Sequence, residues 1–120
     1  MRVCPWEEPI VQRAYVLWDE LFRAANAPLF LQTGGLMIGT PDSVVFTGAK
    51  HSADTHRLPH EVLTANEVRE RFPALSPSDD MMAVLEPRAG ILFPERCIAA
   101  HLALASLHGA NLRVEEPVVR

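Results

Sequence analysis

Apolar residues in the first quarter of the chain repeat at helical spacing. Between Glu8 and Ala25 they recur every three or four positions and make one broad stripe. Pro9 lies near the start, where a missing N–H is harmless, and Asn26 and Pro28 follow the end. The pattern predicts an amphipathic helix over residues 8–25. Its inward stripe is expected to comprise Ile10, Ala14, Trp18, Leu21, Phe22 and Ala25.

Short apolar runs bounded by turn formers occupy the middle of the chain. Residues 29–32 and 36–38 lie between glycines and prolines and predict two short strands. Ser43 can cap a helix that runs to about residue 56, in which apolar residues recur every four positions. The valines and the phenylalanine that follow Ser43 are β-formers, so a strand is the competing interpretation there.

A capping box marks the third predicted helix, after a short apolar stretch at residues 61–63 that could be a strand. Thr64 and Glu67 are three residues apart, so each side chain can satisfy the other residue's backbone N–H. Val68 and Phe72 give the helix an inner face, and the proline after Phe72 ends it. The sequence therefore predicts a short helix that packs through one apolar face.

The last third of the chain has the order strand, strand, helix. Apolar runs at residues 83–86 and 90–93 predict two strands around a proline- and glycine-containing turn. Pro94 then begins a helix at its preferred first position, and Gly109 is suited to the left-handed residue after its end. The residues expected to face inward are Ile98, Leu102 and Ala105.

Alternating apolar and polar residues close the chain and predict a strand over residues 112–119. A strand, a helix and a strand of this length form a crossover, which normally joins parallel strands. The fold class is therefore expected to be α+β, a mixed sheet with three to four helices that ends in a strand–helix–strand crossover. Nothing in the sequence covers the last strand, so residues 1–120 are expected to form one incomplete domain. Its exposed strand edges would favour self-association.

Composition and charge restrict the classes of function. Of 120 residues, 48% are hydrophobic and 22% are charged, which is typical of a globular domain. The net charge of −4 argues against nucleic-acid binding, which requires a clustered positive excess. No apolar run approaches the roughly 18 residues of a membrane span, and two cysteines are too few for a disulfide framework. A cytoplasmic protein that binds neither nucleic acid nor membrane is expected.

The five histidines of the sequence are candidates for chemistry. His51, His56 and His60 have a spacing that could serve zinc, but such a site needs convergent geometry and usually a fourth ligand. Surface positions near a helix end are the favoured interpretation, so no metal site is predicted. His101 and His108 lie seven apart on the last helix and are expected to be a solvated or boundary pair.

The remaining motifs identify no catalytic residue. Cys97 lies in the first turn of a helix, where a thiolate is favoured, but a buried structural cysteine is the expectation beside the apolar stripe. The glycines between Gly34 and Gly39 do not match the G-x-G-x-x-G dinucleotide fingerprint. The catalytic residues thus stay unknown from motifs.

Four stretches in register nevertheless resemble a known family. They are residues 12–21 (QRAYVLWDEL), 32–39 (QTGGLMIG), 67–75 (EVRERFPAL) and 86–97 (EPRAGILFPERC), the last leading to His108-Gly109-Ala110. In this order they are similar to the monomeric sarcosine oxidase and N-methyltryptophan oxidase group of the D-amino-acid-oxidase-like flavoproteins. The similarity covers nearly the whole chain.

The resemblance implies a fold, a reaction and a cofactor. Members pair an FAD-binding Rossmann domain with a substrate domain, and they oxidise the C–N bond of an N-methyl amino acid or related amine by hydride transfer to flavin, with peroxide formation. This chain would supply a segment of the substrate domain and the crossover towards the FAD domain. Because the Rossmann motif is absent from residues 1–120, the resemblance implies a chain that is inactive alone.

Two site residues are carried over from the resemblance. Arg2 and Glu7 match an arginine–glutamate pair in which the arginine binds the substrate carboxylate, a task that suits a bidentate, permanently charged guanidinium. The alternative for Arg2 is a terminal arginine with no binding role. Val118 matches a valine whose backbone contacts the FAD adenine, and its alternative is an ordinary strand residue.

Two functions from different classes follow. The first is a fragment of an FAD-dependent amine oxidase that takes a small amino-acid or amine substrate. The second is a stand-alone binding module or subunit that completes a flavoprotein in trans. A fragment should expose strand edges, whereas an independent module should protect them.

Overall fold

The computed structural model describes residues 7–117 and has an α+β fold, which confirms the predicted class. Its four helices agree with the expected three to four. In this part of the chain no helix combines the length and apolar character needed to cross a membrane. The elements in order are α1 Glu7–Ala25, β1 Phe30–Gln32, β2 Gly35–Gly39, α2 Val44–Thr55, β3 Glu61–Thr64, α3 Ala65–Arg71, β4 Met82–Glu86, β5 Gly90–Leu92 and α4 Pro94–Leu107.

The chain divides into two compact units. Among the described residues, the first unit comprises residues 7–12 and 32–91, and the second comprises residues 13–31 and 92–117. Each unit has its own cluster of buried side chains. That residues 1–120 form one incomplete domain stays a prediction.

A three-stranded sheet organises the first unit. The strand order is β2-β4-β3, and β4 runs antiparallel to both neighbours, with Val84 opposite Met37 on one side and Val62 on the other. This sheet is therefore antiparallel, not mixed as the sequence predicted. β1 and β5 form a separate two-stranded sheet.

The core of the first unit lies between α3 and the sheet. Val68 of α3 is fully buried, and Phe72 packs against the same cluster, which confirms the predicted inner face. The predicted capping box is present, because the Thr64 backbone N–H donates to Glu67 Oε2 at 2.7 Å and the Glu67 N–H donates to Thr64 Oγ1 at 3.4 Å. The cluster comprises Leu63, Val68, Ala83 and Leu85, with Leu36, Ile38 and Phe72 packed against it.

The core of the second unit is centred on Leu29, which has no exposed surface. Trp18, Leu21 and Ala25 of α1 pack against this cluster, as the helical stripe predicted. The prediction that Ile10 and Phe22 also face inward was wrong, since their side chains are 67% and 41% exposed.

Helix α4 packs through a different side from the one predicted. Cys97 and Ala100 are buried, whereas Ile98 and Leu102 are 59% and 47% exposed. The small side chains of Cys97 and Ala100 allow the helix to lie close to Leu29, whose carbonyl oxygen accepts from the Cys97 thiol at 3.7 Å. The prediction that Ile98 and Leu102 face inward was therefore wrong.

The sequence predicted a closing strand over residues 112–119. Residues 112–117 do not form a strand, and residues 118 and 119 lie outside the described residues. Glu115 has a φ of 57°, in the left-handed region, which interrupts an extended strand. Arg113 Nε pairs with Glu116 Oε2 at 2.6 Å, so the segment bonds locally. A strand requires a neighbour for its backbone groups, and no ladder includes residues 111–117.

Candidate functional site

A cavity of about 200 Å³ lies in the first unit between α2 and the sheet. Ala49 and Ala53 are one turn apart on α2, and their short side chains leave space above Met37 and Val84 of the sheet. The other lining residues are Ser52, Leu58, His60 and Glu86. The cavity therefore has an apolar floor and a polar wall.

His60 is the most tightly positioned polar residue of this wall. Its Nδ1 lies 2.9 Å from the Leu58 carbonyl oxygen, and because a carbonyl only accepts, Nδ1 is the protonated ring nitrogen. Nε2 then lies 3.4 Å from Asp54 Oδ1. Only 18% of the His60 side chain is exposed. The ring is thus fixed in orientation and can accept or hold a proton at Nε2.

Asp54 links His60 to the last turns of α2. Lys50 Nζ donates to Asp54 Oδ2 at 2.6 Å, one helical turn away. The hydrogen bond from Lys50 holds the pKa of the Asp54 carboxyl below its usual range, and the charges of Lys50 and His60 lower it further, while desolvation partly opposes them. Asp54 is therefore a carboxylate over most of the pH range and carries no proton for acid catalysis.

The lowered pKa of Asp54 predicts a loss of stability in acid. A carboxyl with a depressed pKa stabilises the folded state fully above its ordinary pKa, and this contribution disappears as pH falls through the folded value. The window is therefore below about pH 4. We expect Asp54→Asn to be less stable than the parent at pH 7 and to show a smaller further loss between pH 5 and pH 2.5, measured by thermal unfolding.

Asp80→Asn is the matched control for that measurement, because Asp80 is an exposed loop residue without a hydrogen bond in the described part of the chain. It changes the net charge equally but breaks no ion pair. The interpretation fails if Asp54→Asn and Asp80→Asn have the same unfolding midpoint across the whole pH range.

The three histidines of α2 and its flank do not converge. His51 is exposed, His56 is the C-cap residue of α2, and only His60 lines the cavity. Over residues 7–117 no group of three His, Cys, Asp or Glu side chains is arranged to hold a metal ion. On the last helix, His101 contacts Trp18 edge-to-face at 5.9 Å between ring centres, and His108 is the exposed C-cap.

The cavity between α2 and the sheet is too small to hold FAD. Pockets for drug-sized ligands typically measure about 300–1,000 Å³, and FAD is larger than most such ligands, whereas this cavity measures about 200 Å³. In the part of the chain that the structure describes, no strand leads through a glycine-rich turn into a helix N-terminus in the way dinucleotide sites require. We therefore derive no redox step from these residues.

The residues that the resemblance assigned to binding lie at the ends of the chain. Arg2 and Val118 are outside the described residues, and Glu7 is the first residue of α1. Cys97 is a buried free thiol, as expected for a structural cysteine. The assignments of Arg2 and Val118 therefore stay predictions.

Sequence reasoning did not identify the group formed by His60, Asp54 and Lys50. The helical spacing of Lys50 and Asp54 was a usable signal. The contact from Asp54 to His60 depends on the turn at residues 56–60, where Arg57 has a φ of 54°. That reversal places His60 beside the end of α2, and no periodic pattern encodes it.

Comparisons with known proteins give a consistent result. The model of the family described as FAD dependent oxidoreductase (DAO) matches residues 2–120. Monomeric sarcosine oxidase of Streptomyces avermitilis is 45% identical over 112 residues, which is 93% of this chain and 29% of that protein. N-methyl-L-tryptophan oxidase of Yersinia pestis is 30% identical over 110 residues, which is 92% of this chain and 30% of that protein.

A solved structure resembles the fold as well. NikD, described as an unusual amino acid oxidase essential for nikkomycin biosynthesis, superposes with a TM-score of 0.78 at 25% identity, covering 92% of this chain and 30% of NikD. The chain thus spans about 29% of the length of the curated relatives it matches.

Proposed function

This chain belongs to the family of FAD-dependent oxidoreductases, and on that premise we propose that it forms part of the substrate domain of an amine oxidase related to sarcosine oxidase. The observation that carries the proposal is the 45% identity to a monomeric sarcosine oxidase over 93% of the chain. The substrate is a small N-methylated amino acid or related amine, whose C–N bond is oxidised with formation of peroxide. FAD supplies the hydride acceptor when it is bound.

Arg2 is the residue that we assign to substrate binding. A guanidinium binds a carboxylate through two parallel hydrogen bonds and stays charged at every working pH. Val118 is assigned a backbone contact with the adenine of FAD. Both assignments are supported by the family resemblance of the sequence around them.

A chimeric oxidase tests the proposal. The chain replaces the matching 112 residues in the sarcosine oxidase of Streptomyces avermitilis. We expect the purified chimera to retain the visible absorption bands of flavin and to release peroxide from sarcosine. Arg2→Ala in the chimera should lower kcat/KM by about 10- to 100-fold through loss of a charged hydrogen-bonded contact, with flavin content unchanged.

Arg13→Ala is the matched control, because Arg13 is an exposed arginine of α1 whose nearest charged partner, Glu20, is 3.9 Å away. It should leave kcat/KM as it is in the parent chimera. A chimera that folds but contains no flavin and releases no peroxide contradicts the proposed function. Equal losses for Arg2→Ala and Arg13→Ala contradict the assignment of Arg2 alone.

The second candidate is a module that completes a flavoprotein in trans. Exposed apolar residues of α4 favour it, since Ile98 and Leu102 leave an unpaired face on a folded unit. The isolated chain distinguishes the two candidates when it is mixed with a sarcosine oxidase from which the matching 112 residues have been deleted. Co-elution in gel filtration supports the module, and separate elution supports a segment that works only within one polypeptide.

Two further properties belong to the proposal. A cytoplasmic location is supported by the free thiol of Cys97, because free thiols persist in reducing compartments. Self-association is supported by β2 and β3, the outer strands of the three-stranded sheet. Cell fractionation tests the first property, and sedimentation analysis tests the second.

A further inference from the structure

The proposed function assigns no role to the cavity between α2 and the three-stranded sheet. This cavity measures about 200 Å³ and lies within the first unit. Consecutive residues of a strand point to opposite faces of a sheet. Val84 therefore faces the cavity, whereas its neighbours Ala83 and Leu85 face the core beneath α3. The cavity and the core of the first unit thus lie on opposite faces of the same sheet.

The interior of the cavity is apolar and large enough for one six-membered ring. An engineered cavity of about 150 Å³ with an apolar lining binds benzene, and this cavity measures about 200 Å³. Val84 has no exposed surface and Ala53 is 6% exposed, so a ring that contacts them leaves water on that side. The apolar lining residues are Met37, Ala49, Ala53, Leu58 and Val84.

The polar residues of the cavity wall lie near one end of the sheet. Antiparallel pairing of β3 with β4 places Glu61 opposite Leu85, and continuing this register by one residue places His60 next to Glu86. Both His60 and Glu86 line the cavity, and Ser52 of α2 is the third polar residue of the wall. An imidazole, a carboxylate and a hydroxyl therefore border one apolar space.

The groups at this wall are mainly hydrogen-bond acceptors. Because His60 Nδ1 donates to the Leu58 carbonyl oxygen, Nε2 of the neutral ring presents a lone pair. Asp54 Oδ1, 3.4 Å from Nε2, is a second acceptor, and Lys50 is bonded to the other oxygen of Asp54. Glu86 adds a further carboxylate. A cationic donor suits such a wall, whereas an anion would meet two groups of its own charge.

We propose that this cavity binds a small apolar ammonium compound. Its hydrocarbon ring lies against Met37 and Val84, and its N–H groups donate to Glu86 and to His60 Nε2. A ligand of about eight non-hydrogen atoms fills this space, since benzene with six fits a cavity of about 150 Å³. An N-methylated amino acid differs in chemistry, because the carboxylates of Glu86 and Asp54 would repel its own carboxylate. The cavity is therefore a second binding site, distinct from the substrate site assigned to Arg2.

Titration of the 120-residue chain with benzylamine, followed by heteronuclear NMR, tests the proposal. We expect the backbone amide signals of Ala53 and Val84 to shift with a Kd of about 1 mM, within the range for a ligand of eight non-hydrogen atoms. Benzyl alcohol has the same size without the charge, and benzoate has the opposite charge. Both should bind at least about tenfold more weakly, because hydrogen bonds between charged groups are stronger than neutral ones.

Two substitutions locate the bound amine. Glu86→Gln keeps the length of the side chain but removes its charge, and it should raise the Kd of benzylamine about tenfold. Ala49→Leu places three more carbon atoms in the cavity and should abolish the shifts. Glu70→Gln is the matched control, because Glu70 is exposed on α3, on the other face of the sheet, and it should leave the Kd unchanged. Circular dichroism checks that each variant keeps the fold of the parent.

Several outcomes overturn the inference. One is the absence of shifts at Ala53 and Val84 when benzylamine is present at about ten times the expected Kd. Another is that benzoate or sarcosine binds as tightly as benzylamine, and a third is an equal Kd for Glu86→Gln and Glu70→Gln. None of these measurements involves flavin or peroxide, so the proposed oxidase function is tested separately by the chimera.

Discussion

Replacement of Leu29 by alanine is expected to lower the free energy of unfolding by about 2–5 kcal/mol, which is a large part of the total stability of an ordinary domain. Leu29 has no exposed surface and is the centre of the core of the second unit. Its neighbours Cys97 and Ala100 are too small to fill the space that three lost carbon atoms leave. The effect should therefore lie in the upper half of the range.

The backbone at Leu29 cannot move into that space without further cost. Its carbonyl oxygen accepts from the Phe93 N–H at 3.0 Å and from the Cys97 thiol at 3.7 Å. Any collapse of the chain towards the cavity would lengthen these bonds. The cavity and the strained hydrogen bonds would thus both lower the free energy of unfolding of Leu29→Ala.

Leu31→Ala is the matched control, two residues along the chain. Leu31 is 54% exposed, so the same three atoms are removed with a change of about 0.5 kcal/mol or less. Urea unfolding followed by circular dichroism measures both variants. Similar losses at Leu29 and Leu31 would mean that Leu29 is not the centre of a packed core.

Local sequence signals predicted the elements well, because each depends on neighbours within a few residues. Thr64 and Glu67 form the capping box, Ser43 caps α2 with its side chain accepting from the Phe46 N–H, and Pro94 begins α4. Gly109 follows α4 with a φ of 87°. Each of these features involves interactions within one turn, which the sequence states directly.

The orientation of α4 could not be predicted in the same way. Apolar residues occur on most sides of this helix, so the period of 3.6 residues does not select one buried side. The size of the side chains determines which side of α4 is buried, because Cys97 and Ala100 allow the helix to approach Leu29 closely and the larger Ile98 does not. Packing distance is a property of the partner and is absent from a one-dimensional pattern.

The prediction of a closing strand was wrong for a related reason. Alternation in residues 112–117 correctly describes a segment suited to a sheet, but a strand forms only when another strand satisfies its backbone groups. No neighbour is available to it in the described chain. The alternating pattern therefore shows that the segment is suited to a strand, but it does not show whether a neighbouring strand is present to pair with it.

The candidate site was the least predictable part. The contact between His60 and Asp54 depends on a chain reversal, and the cavity depends on Ala49 and Ala53 lying above the sheet. Motifs alone did not single out Arg2 and Val118; the family resemblance suggested both residues, and their roles stay predictions. Sequence similarity thus informed function where physical patterns informed only the fold.

A close backbone approach makes Gly35 the second sensitive position. A Cβ atom at residue 35 would lie 2.8 Å from the Cβ of Ala89, closer than real side chains come. Ala89 cannot retreat, because its carbonyl oxygen accepts from the Thr33 and Gly34 N–H groups at 3.2 and 2.9 Å and its own N–H donates to Glu86 at 3.3 Å. The turn is held in place by three hydrogen bonds.

We therefore expect Gly35→Ala to lower the free energy of unfolding by about 1–3 kcal/mol through overpacking. Because the clash involves only two Cβ atoms, the double variant Gly35→Ala with Ala89→Gly should recover most of the lost stability. Urea unfolding of the two single variants and of the double variant measures this coupling. Gly48→Ala is the control: its Cβ would meet nothing within 4 Å on α2, so it should stabilise the protein by up to about 1 kcal/mol. Strict additivity of the losses at residues 35 and 89 would refute the contact.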